Sequence, residues 1–97
     1  MAQPVKVTVT KGVDITVDPD SVKVPKNTDV EWKGVSSQEF NIVLPSGESR
    51  VSCGLQGGKW VCTGGPFQNN TGKNRKIKYI VTSPGTPTLD PEVDIQP

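Results

Sequence analysis

Val30-Glu31-Trp32-Lys33-Gly34-Val35-Ser36-Ser37-Gln38-Glu39-Phe40-Asn41-Ile42-Val43-Leu44 sets two runs of β-branched and aromatic residues on either side of a polar turn. From Thr28 the alternation places Thr28, Val30 and Trp32 on one face and Asp29 and Glu31 on the other, the period of two expected of a half-buried strand. Trp32 is the expected core anchor. Past Lys33–Glu39, Phe40 to Leu44 is apolar enough to predict a central strand, which Pro45-Ser46-Gly47 ends.

Working outward, residues 5–10 (Val-Lys-Val-Thr-Val-Thr) alternate strictly and predict a first strand. Lys11-Gly12 turns the chain, Val13, Ile15 and Val17 resume the rhythm, and Asp18-Pro19-Asp20 stops it. Val22 and Val24 form a short strand before Pro25, which has no N–H for a ladder and belongs at a strand end or edge. On the C-terminal side Gly64-Gly65-Pro66 should break a strand, and Gln68–Asn74 should be a polar loop. Ile77, Tyr79 and Val81 share a strand face, Ser83–Pro91 is an irregular loop, and Val93 and Ile95 end the chain in a strand.

The segment from Arg50 to Thr63 allows a sharper expectation. A two-residue turn at Gly57-Gly58 pairs Gln56 with Lys59, Leu55 with Trp60, Gly54 with Val61 and Cys53 with Cys62. In that register Leu55–Trp60 and Cys53–Cys62 take the closer, non-hydrogen-bonded positions on one face. A disulfide between Cys53 and Cys62, beside Trp60, is therefore predicted. Eight residues intervene between the cysteines, too many for a Cys-x-x-Cys redox motif, so the bridge is read as structural. It implies an oxidising compartment.

Composition bounds what such a domain can do. The chain has 97 residues, 32% of them hydrophobic, with nine Pro and ten Gly, which suits one small turn-rich β domain over residues 1–97. No apolar period near 3.6 persists over three turns, so essentially no helix is expected. Eleven basic and ten acidic residues give a net charge of +1, leaving no field to draw nucleic acid or an anionic membrane. No run approaches the roughly 20 apolar residues of a membrane helix, and Met1-Ala2-Gln3-Pro4 lacks a signal core. The expectation is an exported protein, periplasmic or secreted, whose signal peptide is absent from these residues.

The order Ile15-Thr16-Val17-Asp18-Pro19-Asp20-Ser21-Val22-Lys23-Val24, then Asn27–Trp32, then Phe40-Asn41-Ile42-Val43, resembles the first half of a cupredoxin domain of the plastocyanin type. In that family a copper-binding His follows the Trp by eight residues; here Phe40 stands at that position. The second half is similar more loosely. Aligning Tyr79 with the family's last aromatic puts Val81 at the ligand Cys, Pro84 at the second His and Leu89 at the Met. The Cys53–Cys62 hairpin departs from the pattern. The resemblance implies a Greek-key β-sandwich of about seven to eight short strands, without copper, serving recognition or architecture rather than electron transfer.

The residues themselves exclude most chemistry. Type-1 copper needs two imidazoles and a thiolate, and the chain has no His. Two Cys cannot make a tetrahedral zinc site, so no cofactor is expected. Ser36, Ser37, Ser46 and Ser49 lack a His to activate them, and Asp14, Asp18, Asp20, Asp29 and Glu31 read as solvated strand faces. An enzyme is therefore not expected. Lys73, Arg75, Lys76 and Lys78 form one basic cluster, read first as edge protection and second as an anionic contact site through Lys73 and Arg75. Asn69-Asn70-Thr71 fits the N-glycosylation pattern. A non-catalytic binding or structural module is the first reading, its partner a protein or a glycan. Alternatives are a carbohydrate-binding module using Trp60 and Phe67, and an immunoglobulin-like assembly domain.

Overall fold

The computed structural model describes residues 4–11, 14–18, 20–48, 50–85 and 87–97. The expectations for Gly12 and Val13, for Pro19 and for Ser49 lie outside the described residues. Ten strands form: β1 (Val5–Lys11), β2 (Ile15–Asp18), β3 (Ser21–Val24), β4 (Thr28–Gly34), β5 (Asn41–Val43), β6 (Val51–Gln56), β7 (Lys59–Phe67), β8 (Arg75–Lys78), β9 (Ile80–Thr82) and β10 (Glu92–Ile95). No helix occurs among the described residues, so the fold is all-β and sandwich-like.

A five-stranded sheet runs in the order β2-β1-β4-β7-β6, with β1 parallel to β4 and the other neighbours antiparallel. Facing it are a β3-β10-β8 ladder, in which β10 is parallel to β3, and a β5-β9 pair. Tyr79 alone separates β8 from β9, and its N–H donates to the Pro91 carbonyl at 3.0 Å. The run carrying Ile77, Tyr79 and Val81, expected as one strand, is thus split where it changes partner from β10 to β5.

The alternation seen in the sequence is the burial pattern. Val7 and Val9 of β1, Val30 and Trp32 of β4, Val24 of β3, Val81 of β9, and Val93 and Ile95 of β10 all lie inside. Trp32, fully buried, meets the buried Tyr79 with ring centroids 5.2 Å apart and planes tilted by 60°, joining the two layers. Such an edge-tilted pair contributes about 0.5–1.5 kcal/mol beyond its buried area.

Two strand expectations need correction. β5 is not central: among the described residues it pairs only with β9, and it spans three residues. Its apolar run is ordinary alternation, with Ile42 buried while Val43 is exposed beside its register partner Ile80. Nor does Gly64-Gly65-Pro66 end β7, which runs on to Phe67 through a register shift opposite Thr28–Val30. Gly64 admits a close approach there, since a Cβ would lie 3.1 Å from Trp32 Cζ3 and the packed ring would have to give way. Gly65 sits at φ 124°, where a Cβ would come within 2.9 Å of the Asp29 Cα. Glycine supplies both the close approach and the conformation that the bulge demands.

Candidate ligand-binding groove

The hairpin forms in the expected register. Gly57 and Gly58 take positive φ of 59° and 80°, as a type I′ turn requires, and set Gln56 opposite Lys59, Leu55 opposite Trp60 and Cys53 opposite Cys62. Cys53 and Cys62 are disulfide-bonded with Cα atoms 4.0 Å apart, the short separation of a non-hydrogen-bonded pair. Cys62 is buried against the core while Cys53 is exposed on the edge strand. A bridge of this kind suits an oxidising compartment.

Trp60 is held at both ends of its residue. Its backbone N–H donates to the Ser36 carbonyl at 2.9 Å, and its indole Nε1–H donates to the Phe40 carbonyl at 2.7 Å. These bonds fasten the 35–40 turn onto the hairpin, while Val35 N–H reaches back to the Val9 carbonyl at 3.2 Å. The Phe40 ring is buried near Gly34, where an added Cβ would lie 3.1 Å from Phe40 Cε1. The bridged sulfurs, which carry no proton, sit 3.8 Å from the Phe40 carbonyl and 4.0 Å from Asn41 Oδ1.

Between this hairpin and β9 lies an open groove of about 450 Å³, lined by Glu39, Phe40, Asn41, Cys53, Trp60, Thr82, Ser83, Pro84 and Thr88. Its volume falls in the usual range for small-ligand sites, roughly 300–1,000 Å³. Trp60, Phe40, Pro84 and the disulfide give it apolar surface. Glu39, Asn41, Thr82, Ser83 and Thr88 give it polar groups. Ser83 Oγ–H donates to the Glu39 carbonyl at 2.8 Å, and Asn41 Oδ1 accepts from the Ile42 N–H at 3.1 Å, so the rim is partly pre-set. Glu39 is the groove's only ionisable group among the described residues, since Cys53 is bridged.

Of the four positions that the cupredoxin resemblance would align with copper ligands, two reach this groove and two do not. Phe40 and Pro84 line it. Val81, next to Thr82, exchanges backbone hydrogen bonds of 2.8 and 3.1 Å with Leu89, next to Thr88. None of the four side chains can donate an electron pair to a transition metal as imidazole or thiolate does. Among the described residues no three His, Cys, Asp or Glu side chains come together.

Two expected contact residues are not available. Phe67 is 1% exposed, because the continued β7 turns it into the core opposite Thr28, so it cannot face a ligand. Arg75 is engaged internally: its guanidinium grips Glu48 at 2.7 and 3.1 Å and donates to the Gln68 carbonyl at 2.8 and 3.2 Å. The Glu48 hydrogen bond raises the Arg75 pKa against a smaller opposing effect of burial. Lys73 is exposed, and its carbonyl accepts from Asn69 Nδ2, with Thr71 Oγ 2.9 Å away.

Asn69 is a functional surprise of the opposite kind. It is 4% exposed, its Nδ2 donates to the Lys73 and Ile95 carbonyls, and its Oδ1 accepts from Thr71 N–H and Thr71 Oγ–H. The glycosylation-like triplet is thus a bracket tying the 69–73 loop to β10, with both amide protons already used. Glu39, Asn41, Thr82 and Thr88 were not singled out from the sequence. They are brought together by the β5–β9 pairing, which no local pattern announces. For Asn69, the Asn-x-Thr spacing of a local side-chain turn was the available signal.

No protein-family model and no curated protein sequence matches the chain. Among solved structures, a Bacteroides ovatus GH5 xyloglucanase in complex with a XXXG heptasaccharide contains a similar fold, with a TM-score of 0.58 at 17% identity. The similarity covers 81% of this chain and 17% of that one, so the chain spans a minor fraction of the enzyme's length.

Proposed function

We propose that this chain is a copper-free, cupredoxin-like Greek-key sandwich that works as a non-catalytic binding module, taking a carbohydrate in the groove beside Trp60. The observation that carries the reading is the half-buried Trp60, anchored through Nε1 to Phe40 and lining a groove that mixes apolar surface with a polar rim. Sugar rings have apolar faces edged by hydroxyls, and a fixed indole with hydrogen-bonding neighbours is their chemical complement. Support for the ligand class comes also from the structural neighbour, an enzyme captured with an oligosaccharide. Glycoside hydrolysis uses a pair of carboxylates across the scissile bond, and the groove has the single carboxylate of Glu39, which favours binding over cleavage.

Phe40 and Pro84, two of the four residues at the aligned ligand positions, line the groove, and neither can ligate copper, which is consistent with a copper-free reading. The immunoglobulin-like alternative is less favoured, because two parallel pairings, β1–β4 and β3–β10, are foreign to the antiparallel constant-type sandwich. The disulfide supports a periplasmic or secreted setting. Calorimetric titration of the intact chain and of Trp60→Ala with neutral oligosaccharides tests the proposal. Binding that the substitution abolishes, with the cooperative unfolding transition kept, is expected. Failure of every glycan to bind, or a blue-copper absorption band surviving dialysis, would overturn it.

A further inference from the structure

We infer that the groove selects neutral glycan chains over uronic-acid chains, with Glu39 and Asn41 as the residues that set this choice. The inference rests on the carbohydrate reading above. A sugar hydroxyl is at once donor and acceptor, and Glu39 and Asn41 supply the complementary pair. The Glu39 carboxylate is acceptor-only, exposed, and makes no ion pair among the described residues. The Asn41 amide oxygen accepts from Ile42 N–H, which leaves its NH₂ as a donor group. Both line the same groove, where no Lys or Arg is present to receive a carboxylate. A uronate entering would meet a like charge at Glu39 with nothing opposite in sign lining the groove. A neutral hydroxyl there gains a charge-assisted hydrogen bond.

The charge and the hydrogen bond act in opposite directions on the two ligand types, which makes the inference separable from a structural role of Glu39. Its backbone carbonyl receives Ser83 Oγ–H whatever the side chain is, so Glu39→Gln keeps that tie and nearly the same shape. Calorimetry on the full chain at low ionic strength, with XXXG heptasaccharide as the neutral probe and oligogalacturonate as the acidic one, reads the selection. Wild-type protein should bind the heptasaccharide up to about five-fold more tightly, the size of an exposed charge contact. Glu39→Gln should weaken the heptasaccharide about three- to ten-fold and strengthen oligogalacturonate about three- to five-fold, with an unchanged melting temperature. Asn41→Ala should weaken the heptasaccharide, and added salt should narrow the wild-type preference. Equal wild-type binding of both probes, or a Glu39→Gln effect of the same sign on both, overturns the selection while leaving carbohydrate binding intact. Binding of neither probe overturns both.

Discussion

Replacing Asn69 with alanine tests the least conspicuous support of the fold. The substitution removes a side chain that donates at 2.7 and 2.8 Å to the Lys73 and Ile95 carbonyls and accepts at 3.0 and 2.7 Å from Thr71. Thr71 and Lys73 are exposed and can turn to water, and the Thr71 hydroxyl, released from Asn69 Oδ1, can give its one proton to the Lys73 carbonyl 2.9 Å away. Ile95 is fully buried, so its carbonyl loses a partner in a dry site, at a cost of about 1–3 kcal/mol. Adding about 1 kcal/mol in total for the three remaining bonds, whose exposed partners water can largely satisfy, gives a loss near 2–4 kcal/mol. Urea denaturation followed by circular dichroism should show the midpoint falling by about 1–3 M for a slope typical of a small domain. Asn69→Asp keeps the size but turns two donors into an oxygen facing two carbonyls, and should cost at least as much. A loss under about 1 kcal/mol for Asn69→Ala, or tolerance of Asn69→Asp, would refute this bracket.

Burial pushes the pKa of Tyr79, the chain's one tyrosine, from 10.0 to about 12. The phenol stays neutral in the fold while the unfolded chain ionises, so stability holds below pH 10 and falls by about 2–3 kcal/mol between pH 10 and 12. Denaturation midpoints across that window should show this alkaline loss, and Tyr79→Phe should abolish it. Reduction of the Cys53–Cys62 bridge, whose loop has a sequence separation of 9, should cost about 2.5 kcal/mol through unfolded-chain entropy. Equilibrium unfolding with and without a thiol reductant measures it. Phe40→His should lower stability by about 1–3 kcal/mol, because a polar ring replaces one that is 4% exposed, and should give no blue-copper absorption with added copper.

The hairpin was readable because its determinants are local: two glycines at the turn and a pairing sum that carries both cysteines to one rung. Strand positions were readable for the same reason, through period-two alternation in β1, β4 and β8–β10. Sheet order was not. Nothing near Phe40–Leu44 says that β5 will have a single partner among the described residues, and a continuous apolar run looks central until Val43 proves exposed. The strength of Gly-Gly-Pro as a strand breaker hid the continuation of β7, which Gly64 and Gly65 make possible by admitting Trp32 and Asp29 so closely. That continuation buried Phe67 and cost it a place in any binding surface. Trp60 was named as a contact residue from the hairpin alone. The residues gathered around it arrive from Glu39–Asn41 and Thr82–Thr88, whose proximity is fixed by pairing between β5 and β9.

Nitrogen-15 NMR titration with the XXXG heptasaccharide tests carbohydrate binding in the groove most directly, because the chain has two tryptophans in opposite settings. Trp32 is fully buried between the layers, whereas Trp60 lines the groove with its Nε1–H on the Phe40 carbonyl. The Trp60 indole resonance and the backbone amides of Glu39, Asn41 and Thr88 should shift together and saturate, while the Trp32 indole stays in place. Shifts confined to the exposed lysines at 73, 76 and 78, or no shift at saturating sugar, would contradict the account.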